Sequence, residues 1–209
     1  MGLAIGVGLL DDLDRNDAEG AQWFRRELAA IDQVLARAGL PAHREPERFE
    51  TPLFELRRSC TSFPYSFLHY LRRAFAHARL GLPIPDDEQL QPEHDAVAED
   101  ASMMLDSHLL CHSDAEGYYV PVDFADPIFD DEVPGGMLGS SQGLLRELLE
   151  IAAHIGVPLS AEGRPTPECE AELQNIEDGA PLWRERLVWY ALFEAASLSL
   201  RFNALIVFH

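Results

Sequence analysis

One helix constrains the fold more than any other stretch. Pro181–Leu200 carries Trp183, Leu187, Val188, Trp189, Leu192, Phe193, Ala196 and Leu200, so apolar side chains cover more than one of its sides. A helix of this kind is expected at the centre of a fold or sandwiched between layers. Both ends of the chain read as strands, Leu3–Leu10 and Ala204–Phe208. They are expected side by side in one sheet. Glycines at positions 2, 6 and 8 lower strand propensity but allow close packing. The Gly-x-Gly here is no dinucleotide fingerprint, because Asp11 stands where a third glycine is required.

Between these ends the helical signals alternate with turns. Asn16 and Glu19 form a capping-box pattern ahead of Phe24, Leu28, Ile31 and Leu35. Ser62 and Pro64 open a helix to about Arg79, and Ser140 or Ser141 caps another that stops at Gly156. Thr166-Pro167-Glu168 starts one more. Asp11–Asn16 reads as a turn. Thr51–Leu56, His108–His112 and Tyr118–Val122 read as short strands, the last two as a hairpin, with Pro121 forcing the second to an edge or to a short length. The reading is a single α+β domain over residues 1–209. Its small mixed or antiparallel sheet includes both terminal strands and packs against about five or six helices. Irregular acidic loops are expected at about 80–95 and 124–140.

Charge narrows the function classes. The formal net charge is −20, and all 16 basic residues are arginine. From Leu80 to Leu145 there is no arginine or lysine at all, while carboxylates are dense. This argues against binding a nucleic-acid backbone. It fits a very soluble cytoplasmic protein, or one that meets a basic protein partner. No apolar run approaches the roughly 20 residues of a membrane span, and the N-terminus lacks the basic flank of a signal peptide. Three cysteines, Cys60, Cys111 and Cys169, make no disulfide framework.

The span Met103–Phe124 is the richest in chemically capable side chains. His108, Cys111, His112 and Asp114 are valid ligands for a borderline metal ion. On a strand, however, side chains four apart lie about 13 Å from each other. On a helix His108 and His112 would pair, yet Leu109 breaks any His-Glu-x-x-His motif. Asp114, Glu116, Asp123 and Asp126 offer hard oxygen ligands, but Tyr118 and Tyr119 stand where a calcium loop needs an acid and a glycine. No metal ligand is assigned and no cofactor is implied. Tyr118 and Tyr119 are neighbours, so on a strand one faces inward and the other is free for a contact. Glu116 and Asp123 belong to the same candidate contact surface, and His69, between Tyr65 and Tyr70, is a further candidate.

Two sites outside that span matter. Gly139-Ser140-Ser141-Gln142-Gly143 fits Gly-x-Ser-x-Gly, which makes Ser141 either a candidate nucleophile or a helix cap. A nucleophile needs a preceding strand, which the Pro/Gly-rich residues 131–138 do not suggest. His154 and His209 would be the bases to test. Glu194 lies among apolar neighbours, so it is expected either to pair with Arg72, Arg73 or Arg146 or to be an acid of raised pKa. Two readings follow. One is a non-enzymatic, immunity-like module that binds a basic protein. The other is a small metal-dependent or serine-type hydrolase built from His108, His112, Asp114, Ser141 and Glu194.

Overall fold

The computed structural model describes residues 2–85 and 92–209. The chain is of the α+β class, with one mixed six-stranded sheet that includes both terminal strands. The strands are β1 (Gly2–Val7), β2 (Ser62–Pro64), β3 (Gly117–Val120), β4 (Ile128–Phe129), β5 (Met137–Ser140) and β6 (Ile206–Phe208). They lie in the order β2-β1-β6-β3-β5-β4. Only β3 and β5 run parallel, with Tyr119 opposite Gly139. The termini are neighbours, since Gly6 faces Val207 and the Ala4 N–H donates to the His209 carbonyl at 2.8 Å.

Among the described residues there are seven α-helices: α1 (Leu9–Asn16), α2 (Ala18–Arg37), α3 (Tyr65–Arg79), α4 (Ala96–Ser102), α5 (Ser141–Ala152), α6 (Pro167–Leu173) and α7 (Trp183–Phe202). Helices cover both faces of the sheet. Leu3, Ile5, Tyr119, Ile206 and Phe208 point into a cluster with α3, α5 and α7. Tyr118, Val120, Leu138, Leu205 and Val207 point the other way, onto Phe24, Ile31, Val34 and Leu35 of α2. The all-round apolar α7 lies between α3 and α5 and also packs on β1, β6 and α6. Its Trp189 is fully buried and donates its ring N–H to the Leu148 carbonyl at 2.6 Å.

Several local expectations are corrected. Asp11–Asn16 is helical, not a turn, and Asp17 rather than Asn16 caps α2 by accepting from the Gly20 N–H. Leu53–Leu56 is a 3-10 turn rather than a strand. Residues 108–112 form turns, so the hairpin with β3 does not exist. Strand β3 is instead interior to the sheet, between β6 and β5. It tolerates Pro121 because the strand ends at Val120. The expected irregular stretch at 124–140 contains β4 and β5. Of the expected loop at about 80–95, residues 86–91 lie outside the described residues.

Candidate functional site

The chemically rich span is a tied loop. Residues 107–114 have little regular structure, so their backbone groups need side-chain partners. Three elements supply them. Glu147 on α5 accepts from the backbone N–H groups of His108 and Leu109, at 2.8 and 2.6 Å, and from the Ser107 hydroxyl at 3.1 Å. The Tyr119 hydroxyl on β3 donates to the His108 carbonyl at 2.9 Å. Arg72 on α3 donates to the carbonyls of Leu109 and His112 and to Asp114, whose other oxygen meets His69 at 3.0 Å.

Burial sets the protonation of this network. It pushes the Glu147 carboxyl up to about 7 despite its three donors. It holds the His112 imidazole down at about 4. Burial also lowers His108. Burial would raise Asp114, but hydrogen bonding from His69 and the Arg72 charge outweigh it and bring the carboxyl down to about 2.

The histidines occupy separate niches. His112 stacks on Tyr119 with ring centroids 4.2 Å apart, and its Nδ1 meets the Ser113 carbonyl at 3.0 Å. The Ser140 N–H donates to Nδ1 of His108, whose Nε2–H then donates to the Ala125 carbonyl. This tautomer makes His108 a clip between β5 and the segment before β4. Among the described residues, no three His, Cys, Asp or Glu side chains are placed to share an ion. Tyr118 and Tyr119 are both buried, one on each face of the sheet, so neither presents a ring to solvent. The period-two alternation is present, but both faces are covered.

Ser141 does follow a strand and open a helix, but it is sealed in. Its hydroxyl is buried against the Ser199 hydroxyl at 2.7 Å, and Ser140, not Ser141, caps α5. The two glycines have packing roles: a Cβ on Gly139 would run into the Tyr119 ring, and one on Gly143 into the His108 ring. Gly143→Ala is therefore expected to lower stability by about 1–3 kcal/mol through overpacking, read as a lower urea midpoint at unchanged m-value. Glu194 meets none of the three expected arginines. It accepts from the backbone N–H groups of Arg58 and Ser59, at 2.9 and 2.7 Å. Among the described residues it shares no hydrogen-bond partner with the loop at 107–114, and Ser141 is sealed against Ser199, so no contact joins the five groups of the hydrolase reading.

The surface tells a different story from the interior. Leu80–Leu145 holds fifteen of the chain's 36 carboxylates and none of its arginines. Arginines from elsewhere reach in. Arg37 clamps Asp130 and Glu132 at 2.5 and 2.9 Å, Arg79 pairs with Asp106, and Arg146 with Asp123 at 2.8 Å. Glu99, Asp100, Glu116, Asp126 and Asp131 stay exposed, with no ion pair among the described residues. Glu99 and Asp100 lie on α4, Glu116 immediately before β3, and Asp126 and Asp131 on either side of β4. Glu116 also faces Glu27 of α2, whose carboxyl is raised by burial and further by the Glu116 charge. Sequence reasoning found the acidic run but not this placement, which depends on the parallel β3–β5 pairing.

A protein-family model described as "Putative DNA-mimic protein" matches residues 1–208. No curated protein and no solved structure matches the chain. The family match overturns the immunity-like reading: the family is named for imitation of DNA, which replaces a basic partner of the immunity kind by DNA-binding proteins. It overturns the hydrolase alternative as well. The exclusion of nucleic acid is also corrected. The carboxylate surplus that keeps a chain off a phosphate backbone is the property an imitation of that backbone needs.

Proposed function

The chain belongs to this DNA-mimic family, and from that premise we propose that it occupies the DNA site of a DNA-binding protein without carrying out chemistry. The observation that supports this reading is the arginine-free run with its exposed carboxylates. Exposed carboxylates of one sign without counter-ions repel and give no stability in return, which is what a partner of opposite charge would relieve. Glu116, Asp126 and Asp131 would take the place of phosphates, and Glu99 and Asp100 would extend the array along α4. A site of action inside the cell goes with this reading.

The test uses immobilised protein and a nuclease-treated lysate. Retained proteins are expected to bind duplex DNA, to elute with a duplex oligonucleotide, and to be lost steeply as salt rises. The triple variant Glu116→Gln, Asp126→Asn, Asp131→Asn is expected to make the salt dependence shallower. Retention that duplex DNA does not disturb would overturn the reading.

A further inference from the structure

The acidic surface has an apolar tip. Leu80 and Leu82 follow α3, and Met103, Met104 and Leu105 follow α4. All five are exposed, Met103 at 76% and Met104 at 71%. The two turns are held side by side, because Arg79 donates to both oxygens of Asp106 at 3.2 and 3.1 Å. Leu80 adjoins one end of that clamp and Leu105 the other. Five large apolar side chains grouped at the surface of a chain that buries most of its others mark a contact surface rather than a packing defect.

Leu105 adds an independent sign. Its φ is 58°, the left-handed region that glycine or asparagine takes at lower cost. It is 54% exposed, so the strain is not repaid by core burial. Strain kept at an exposed leucine points to a role outside the fold.

Charge decides what covers the tip. Glu99 and Asp100 lie at the end of α4, just before the second turn and within the arginine-free run. A second copy would bring these carboxylates against their equivalents, on two bodies each of net charge −20. A DNA-binding protein meets them with the opposite sign. There is also a reason for such a partner to have an apolar contact. Duplex DNA carries one charge per about 1.7 Å of axis, whereas the arginine-free run is partly neutralised by Arg37, Arg79 and Arg146 reaching in from outside it. To displace DNA, a mimic gains from something the phosphate backbone does not offer, and a cluster of aliphatic side chains supplies such apolar area.

Resting on the DNA-mimic reading, we propose that Leu80, Leu82, Met103, Met104 and Leu105 dock into an apolar pocket beside the DNA-contact surface of the same partner. The probe is the duplex-elutable protein from the retention experiment, with its Kd measured across a range of NaCl. Met103→Ser/Met104→Ser and, separately, Leu105→Gly are expected to weaken binding at least tenfold at every salt concentration without changing the salt slope. Leu105→Gly relieves the left-handed leucine, so its Tm is expected to be unchanged or higher, which separates lost contact from lost fold. Binding equal to wild type in both variants would overturn the apolar contact and leave the DNA-mimic reading standing. Failure to retain any duplex-elutable protein would overturn both. A wild-type dimer in sedimentation equilibrium that the methionine variant splits would assign the tip to a second copy and overturn the proposal.

Discussion

Arg72→Met is expected to lower the free energy of unfolding by about 3–5 kcal/mol. The guanidinium is nearly buried and is the common partner of two carbonyls and one carboxylate. Methionine fills much of the volume but donates nothing. The Leu109 and His112 carbonyls then lose their donor in the interior, a cost of about 1–3 kcal/mol for each orphaned group. Asp114 is more exposed and keeps His69, so Asp114→Asn should cost only about 1 kcal/mol. Equilibrium urea unfolding of the two variants tests the contrast. Equal losses would mean that the ion pair, not the two carbonyls, dominates. The two apolar clusters share β3 and β6, which supports the proposal that residues 1–209 form a single domain. Far-UV circular dichroism and tryptophan fluorescence should then report one coincident transition.

The same loop shows where sequence reasoning reaches its limit. Leu109-Leu110-Cys111 looks like a buried strand, and its apolar side chains are indeed mostly inside. What decides against a strand is where its backbone hydrogen bonds go, and Glu147, Tyr119 and Arg72 come from three other elements. No local pattern announces such partners. Strand β5 failed for the opposite reason. Met137–Ser140 has poor strand propensity, yet it forms because β3 and β4 flank it and because Gly139 leaves room for the Tyr119 ring. Helix α7 was legible because its apolar surface excludes every peripheral position. Pairing of the terminal strands was legible because short apolar ends must be covered. For the surface, the sequence disclosed the sign of the charge and its gap in arginine. Whether that surplus neutralises a basic protein or imitates DNA depends on shape, which composition does not carry.

Between about pH 4.5 and 6.5 the pH-dependent contributions of Glu147 and His112 to stability are expected to offset each other in the wild type and to be unmasked in two single variants. Glu147 is displaced upward, from 4.5 to about 7. A raised carboxyl holds its proton better in the folded state, so its contribution is full below pH 4.5 and is lost as pH rises through 7. His112 is displaced downward, from 6.5 to about 4. A depressed imidazole contributes fully above pH 6.5, and that contribution is lost as pH falls toward 4. Each displacement corresponds to about 3 kcal/mol, with slopes of about 1.4 kcal/mol per pH unit. The two slopes oppose each other where their windows overlap. Burial also lowers His108, which adds to the His112 side. Glu147→Gln removes the descending limb, so stability should climb with pH from 4.5 to 6.5. His112→Phe keeps a ring on Tyr119 and removes the ascending limb. It also removes Nε2, which is buried without a hydrogen-bond partner among the described residues. At pH 5 it should stand about 2 kcal/mol closer to, or further above, wild type than at pH 7. Subtracting the wild-type curve from each variant's cancels the remaining carboxylates, whose mutual repulsion follows pH in all three proteins alike. Urea midpoints at half-unit pH steps give both difference curves. Parallel curves for wild type and Glu147→Gln would mean that the three donors around Glu147 keep its carboxylate ionised throughout, with hydrogen bonding rather than burial setting the charge of the loop.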